Sequence, residues 1–150
     1  MGAPTKLLQI ELRNTTAGHH KFWEAIFYDS YDIDIRFGVI GTKGQYQTKR
    51  FVSFDAAFVF ILKKAREKKD KRYQAHILAH GLLSEKATKL DTLVFNTHIR
   101  TLSDLFSIPP TEFTAIDPDT NPRGREPVSP PVPGIADYVK ARRDQAKIIL

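Results

Sequence analysis

The first third of the chain alternates apolar and polar residues in the manner of β-strands. Four segments share this character: residues 7–12, 22–28, 33–40 and 46–51. The second and third segments are separated by a turn-like stretch at residues 29–32, which predicts a hairpin. Gly41 and Gly44 can adopt positive φ in the next turn. The pattern therefore predicts a four-stranded antiparallel meander.

Residues 54–65 change to a helical period. Apolar residues recur three and four positions apart, and Ser53 stands where an N-cap is expected. If the period continues, Lys68, Lys69 and Arg72 fall on the apolar side of the helix, which a buried face would not tolerate. The helix must therefore overhang the sheet or end near Arg66. A single amphipathic helix covering one face of an antiparallel sheet is an α+β arrangement.

The pattern is weaker after Tyr73. Short helices are expected at residues 74–80, 84–95 and 101–107. Eight of the nine prolines lie between Pro109 and Pro133, which predicts a linker or an extended arm. An amphipathic spacing then predicts a C-terminal helix. The expected parts are a domain over residues 6–80, a short helical extension over 81–107, a proline-rich linker over 108–134 and the helix over 135–150.

Composition narrows the class of protein. Leu, Ile, Val and Phe make up 42 of 150 residues, enough for a hydrophobic core. The longest apolar run has seven residues, against about 20 for a membrane-spanning helix. Gln9 and Glu11 interrupt the apolar stretch that a signal peptide needs. We therefore expect a soluble cytoplasmic protein, nucleoid-associated if bacterial, with no membrane partner. The absence of cysteine excludes disulfides, thiol nucleophiles and cysteine-based zinc sites.

Charge favours a polyanionic partner. The net charge is +6, and residues 1–89 hold 16 basic and 9 acidic side chains, whereas residues 90–150 hold 7 and 8. Residues 49–72 alone carry nine basic and three acidic side chains. A concentrated positive surface attracts nucleic acid first, and acidic protein or membrane surfaces second.

No group of residues indicates catalysis. His76 and His80 are four positions apart, as metal ligands on one helix face would be, but no third ligand is evident. The aspartates at residues 29–34 are typical of turn chemistry and have no partnered His or Lys. Backbone N–H groups of residues 41–45 could bind an anion, although a plain hairpin turn explains the same residues. We expect no enzyme activity, cofactor or metal.

The order of these segments resembles the WGR domain, over Lys6 to Tyr73. The resemblance rests on the spacing of a first strand, KFWE from Lys21, RFGVIGTKGQ from Arg36, and a helix rich in Ala and Phe that ends in lysines. Phe37 stands where the family has its signature Trp, and Gly38 matches the signature Gly. A valine, residue 39, replaces the signature Arg.

The resemblance implies a non-catalytic module that contacts nucleic acid. In poly(ADP-ribose) polymerases the signature aromatic residue stacks near a DNA end, and the arginine relays that contact to the catalytic region. The proline-rich remainder of this chain could not hold such a region, which points to the small bacterial WGR proteins. The implied partner is DNA, at ends, nicks or the duplex backbone.

A basic, aromatic-bearing sheet surface is the predicted interface. Eight residues are expected to contact nucleic acid: Lys21, Arg36, Phe37, Lys43, Gln45, Lys49, Arg50 and Tyr73. Each has an alternative interpretation. Phe37 could pack in the sheet, charged strand edges also prevent aggregation, and the lysines late in the helix also suit the helix dipole. The rival function is a protein-interaction adaptor that uses the sheet or the proline-rich arm, residues 108–150, to bind a protein partner.

Overall fold

The computed structural model describes residues 4–16, 18–81, 83 and 87–116. The elements in chain order are β1 (Lys6–Asn14), β2 (Lys21–Tyr28), β3 (Asp32–Val39), β4 (Gln45–Arg50), α1 (Phe54–Asp70), β5 (Gln74–His80), α2 (Lys89–Phe106), a 3₁₀ turn (Pro110–Glu112) and β6 (Thr114–Ala115). The mixed α+β class is confirmed. Neither helix in these ranges is long and apolar enough to cross a membrane.

One sheet contains all six strands, in the order β4-β3-β2-β1-β5-β6. β1 to β4 form the predicted antiparallel meander, and the hairpin of β2 and β3 pairs Lys21 with Val39 and Phe27 with Ile33. The expectation of only four strands is wrong. β5 adds antiparallel to the other edge of β1, and β6 pairs in parallel with β5.

The short helix expected over residues 74–80 is wrong, because this segment is β5. Gln74 pairs with Arg13 and His80 pairs with Leu8. This pairing gives hydrogen-bond partners to the backbone N–H and C=O groups on the edge of β1 that faces away from β2. Burying these groups without hydrogen bonds would be costly. The local pattern of seven residues could not reveal this, since the partner strand lies at the start of the chain.

α1 covers one face of the sheet. Ser53 is its N-cap, as predicted, and its Oγ accepts a hydrogen bond of 3.1 Å from a backbone N–H of the first turn. Phe58 packs edge-on against Phe27 of β2, with ring centroids 5.1 Å apart. The last buried residue is Ala65, but the helix continues to Asp70. The helix therefore extends beyond its last buried residue and does not end near Arg66, which is the first of the two expected alternatives.

A second long helix replaces the two short helices expected over residues 84–95 and 101–107. α2 is continuous and begins with a capping box formed by Thr88 and Asp91. Its buried residues keep a helical spacing across the interval between the two expected helices: Phe95, Ile99, Leu102 and Ser103. α2 packs beside α1, so two helices, not one, contribute to the core. Residues 84–86 of the expected helix lie outside the described residues.

The proline-rich arm begins with ordered contacts. The 3₁₀ turn and β6 follow α2 directly, and Phe113 between them packs against the core. The arm is described only to Ile116. The rest of the predicted linker and the predicted helix over residues 135–150 lie outside the described residues.

Neighbouring residues of α1 provide a test of this packing. Phe58 is fully buried, whereas Val59 is 51% exposed. We expect Phe58→Ala to lower the free energy of unfolding by about 3–5 kcal/mol, because it removes buried surface and leaves a cavity. The control Val59→Ala should stay within about 0.5 kcal/mol of the parent. Urea unfolding followed by circular dichroism measures both, and equal losses would contradict this placement of α1.

Candidate nucleic-acid interface

A groove lies between α1 and strands β2, β3 and β4. Its volume is about 440 Å³. The described residues that line it are Trp23, Ile35, Phe37, Gln47, Lys49, Phe60, Lys63, Lys64 and Lys68. Four of these are lysines, three are aromatic and none is acidic. We call this feature the basic groove.

The alternation of side chains along the strands determines which residues form the sheet wall of the basic groove. Residues directly opposite one another in antiparallel strands share a face, and Phe37 lies opposite both Trp23 and Gln45. Gln47 and Lys49 follow on the same face of β4, because side chains alternate along a strand. Trp23 is only 4% exposed, and Phe37 is half-buried against the core. The sheet side of the basic groove is therefore aromatic at Trp23 and Phe37 and polar at Gln47 and Lys49.

α1 supplies the other wall. Phe60, Lys64 and Lys68 are four residues apart and so lie along one side of the helix. The Nζ atoms of Lys49 and Lys64 lie 5.5 and 5.9 Å from the ring centroid of Phe60. Such cation–π contacts are worth about 0.5–1 kcal/mol at exposed sites. Lys64 Nζ is also 3.5 Å from Glu67 Oε1, in a partly exposed ion pair. These interactions are weak enough for an incoming anion to replace them.

Several basic side chains lie near Lys68. Burial lowers the pKa of Lys68 from its ordinary value of 10.5, and the charges of Lys71, Lys64 and, to a smaller extent, Lys21 lower it further, whereas Glu67 raises it. The Lys68 Nζ also lies 5.0 Å from the ring centroid of Tyr73. A bound phosphate would offset the repulsion among these ammonium groups. This end of the basic groove is therefore suited to an anion.

Half of the predicted contact residues share the groove face of the sheet. These are Lys21, Phe37, Gln45 and Lys49. Phe37 and Lys49 line the basic groove itself. Lys43 is exposed in the turn between β3 and β4. All five are accessible to a ligand at least in part, and their role in binding stays a prediction.

The other three predicted residues are not among those that line the basic groove. Tyr73 is 8% exposed and belongs to the core, and burial raises its pKa above the ordinary value of 10.0. Arg50 is on the opposite face, because it lies two residues along β4 from Thr48, which pairs with Asp34. The Arg50 Nε lies 3.4 Å from Asp32 Oδ1 in an exposed pair.

Arg36 is fully buried, so the expectation that it contacts phosphate directly is corrected. Its Nε donates a hydrogen bond of 3.1 Å to Glu24 Oε1, and its guanidinium carbon lies 4.9 Å from the ring centroid of Phe22. Glu24 is also fully buried and accepts a second hydrogen bond, of 3.3 Å, from Gln9 Nε2. Pairing across adjacent strands is what allows both charges to be buried.

Arg36 supports the turn that carries Lys43. Its Nη1 donates a hydrogen bond of 3.5 Å to the Lys43 backbone oxygen. Gly44 in the same turn has a φ of +75°, and a Cβ there would lie 2.5 Å from the Phe37 backbone oxygen. Only glycine therefore allows the turn to lie this close to β3. The turn and Phe37 are held at a fixed distance.

The two histidines considered as metal ligands have other surroundings. The His80 ring lies between Phe95 and Phe113, with centroid distances of 5.9 and 5.8 Å. Burial lowers the pKa of His76 from 6.5, and Arg13 lowers it further. In the part of the chain that the structure describes, no three His, Asp or Glu side chains are grouped so that they could hold a metal ion.

Comparison with known families now bears on this site. The family model of the WGR domain matches residues 7–78, which include all of β1 but its first residue, β2 to β4, α1 and most of β5. Residues 7–78 form a WGR domain. The WGR domain is a nucleic-acid-binding module and is not itself catalytic.

Other comparisons are more limited. A crystal structure of a protein from Bacteroides fragilis is similar at 28% sequence identity, over 46% of this chain and 19% of that chain, with a TM-score of 0.42. The present chain thus matches about a fifth of the length of that protein. No curated protein sequence is significantly similar to this chain.

The WGR signature has an altered side chain at an accessible position. Val39, which stands in place of the signature arginine, is 54% exposed and pairs with Lys21 across the hairpin. This WGR domain therefore has an apolar surface residue where an arginine could be accommodated without burying its charge.

Sequence reasoning missed part of the site in this WGR domain. Trp23 and Phe60 were not predicted as lining residues, and the α1 lysines were explained equally well by the helix dipole. A signal was present, because Phe60, Lys64 and Lys68 form a stripe at four-residue spacing. The sequence alone does not show where β4 lies relative to that stripe.

The buried Arg36 and the exposed Arg50 make a matched pair for a stability test. We expect Arg36→Ala to lower the free energy of unfolding by about 3–5 kcal/mol, because Glu24 would be left buried without this partner. Arg50→Ala should cost less than about 1 kcal/mol, since its ion pair is exposed. Chemical denaturation measures both. Similar small losses for the two variants would contradict a structural role for Arg36.

Proposed function

We propose that this protein binds DNA through the basic groove and contacts the backbone near duplex ends or nicks. The observation that carries the proposal is the convergence of lysines from two separate elements on one aromatic-lined groove. Nucleic-acid binding in general is supported by the WGR domain. The choice of DNA, and of its ends or nicks, is the part that we add.

Phosphate contact is supported by the arrangement of the lysines. Lys49 approaches from the sheet, and Lys63, Lys64 and Lys68 approach from α1, so that ammonium groups stand on both sides of the groove. Lysine acts as a mobile point charge and does not impose the fixed bidentate geometry of arginine. Contacts of this kind fix the position of the backbone but do not read its sequence. Binding should therefore depend little on base sequence.

A preference for ends or nicks is supported by the aromatic residues. In a continuous duplex the faces of the bases are covered by their neighbours in the stack. Phe37 and Phe60, which stand on opposite walls of the basic groove, can contact a base face only where the stack is interrupted. Base–aromatic stacking contributes about 1–3 kcal/mol per base. This contribution is available at an end or a nick and absent along intact duplex.

Salt dependence tests the electrostatic part of the proposal. If the lysines engage about four to six phosphates, the logarithm of the association constant for duplex DNA should fall against the logarithm of salt concentration with a slope of about −3.6 to −5.4. Fluorescence anisotropy titrations at several salt concentrations measure the slope. A flat dependence would contradict phosphate contact and favour the adaptor function.

Adjacent lysines of α1 separate groove contact from general charge. Lys68 lines the basic groove, whereas Lys69 is exposed elsewhere on the same helical turn. Lys68→Ala and Lys69→Ala remove the same charge from neighbouring positions. We expect the first to weaken DNA binding by about three- to tenfold and the second by less than twofold, because only Lys68 reaches a phosphate in the groove. Equal effects in anisotropy titrations would mean that the groove is not the contact surface.

A further inference from the structure

We infer that the basic groove takes one unpaired nucleotide, so that the preferred DNA end carries a single-stranded extension. This inference rests on the proposed function and specifies the ligand of the same groove. A blunt end would offer only the outer face of a terminal base pair. The inference is that a base leaves the stack and enters between α1 and the sheet.

The dimensions of the basic groove favour a single nucleotide over a duplex. Its volume of about 440 Å³ lies in the range of about 300–1,000 Å³ that is typical of small-molecule pockets. Its two walls belong to different elements, with Phe60 on the helix and Phe37 on β3. A base pair carries a second base and a second backbone strand, so it needs a wider opening than an unpaired base does.

The depth of the aromatic residues supports the same ligand. Trp23 is 4% exposed and lies at the floor, so a flat base pair resting on the rim could not reach it. Recognition of unpaired bases commonly uses aromatic side chains that take the place of neighbouring bases in the stack. The positions of Trp23, Phe37 and Phe60 provide apolar contact on more than one side of an inserted base.

The lysines near Phe60 have an interaction partner both in the empty groove and when a nucleotide is bound. Lys49 and Lys64 lie over the Phe60 ring, at 5.5 and 5.9 Å from its centroid. A base that stacks on this ring would displace at least one ammonium group. The phosphate attached to the same nucleotide then offers that ammonium group a stronger, fully charged partner. Base insertion and phosphate contact are therefore compatible in one groove.

The test uses three DNA probes with the full, unaltered chain. The first is a blunt hairpin duplex, the second has an extension of three thymidines at its open end, and the third has the same extension with three abasic sites. The second and third probes carry the same number of phosphates. Any difference in dissociation constant between these two probes therefore measures the contribution of the bases. Extensions on the 5′ strand and on the 3′ strand are compared separately.

Two measurements are made on each probe. Anisotropy gives the dissociation constant, and intrinsic fluorescence reports on Trp23, the one tryptophan of the chain. We expect the thymidine extension to bind at least about fivefold more tightly than the abasic extension, from the usual contribution of base stacking. The Trp23 emission should change with the thymidine extension and not with the abasic one.

The outcomes distinguish this inference from the proposed function. Equal dissociation constants for all three probes, with unchanged Trp23 emission, would overturn the unpaired-nucleotide ligand and leave DNA binding intact. If none of the probes bound at low salt, the proposed function itself would be overturned.

A pair of variants adds a structural control. Phe60→Leu keeps apolar bulk in the basic groove but removes the aromatic face, whereas Phe113→Leu makes the same change at a half-buried ring that packs on His80. We expect Phe60→Leu to reduce the affinity ratio of thymidine to abasic extension towards one and Phe113→Leu to preserve the ratio. Preservation of the ratio in both variants would overturn stacking on Phe60.

Discussion

The packing of α1 on the sheet is the interaction on which both the fold and the candidate interface depend. Its early turns place Phe54 and Phe58 against Phe27, and burial ends at Ala65 although the helix continues. The same rigid helix therefore joins the core to the lysines of its later turns. Contacts between aromatic rings in the core fix where those positive charges stand relative to β4. A basic groove made from two elements keeps its geometry only because the two elements share this core.

The sequence predicted those features that depend on local pattern. The alternation in β1 to β4, the helical period of α1 and the Ser53 cap each lie within a few residues, and all were confirmed. β5 and the continuity of α2 depend on distant partners, and both were missed. At the site, Phe37 and Lys49 could be predicted from their positions in strands. Trp23 could not, because the sequence of its strand does not show which face packs against α1. The burial of Arg36 was missed because its partner, Glu24, lies on another strand.

The buried charges on the other face of the sheet limit how its strands can pair. Glu11, Glu24 and Arg36 lie opposite one another across β1, β2 and β3, and Arg13 Nε donates to Glu11 Oε2 at 2.7 Å. A shift of one residue in any of these strands would turn its charged side chains towards the apolar layer under α1. Burying a charge without its partner costs several kcal/mol. These ion pairs therefore disfavour alternative strand registers, even though salt bridges of this kind contribute little net stability.

The two residues of β6 affect how the protein meets other copies of itself. Without them β5 would be the last strand of the sheet, and an uncovered strand edge is a template for aggregation. β6 pairs with Ala79 and His80 at one end of that edge, after prolines that interrupt regular hydrogen bonding. This protective strand comes from residues 114–115, well outside the range that the WGR family model matches. A chain that ended before residue 114 would retain every residue that lines the basic groove but would leave Ala79 and His80 at an uncovered strand edge. Aggregation and ligand binding therefore depend on different parts of the chain.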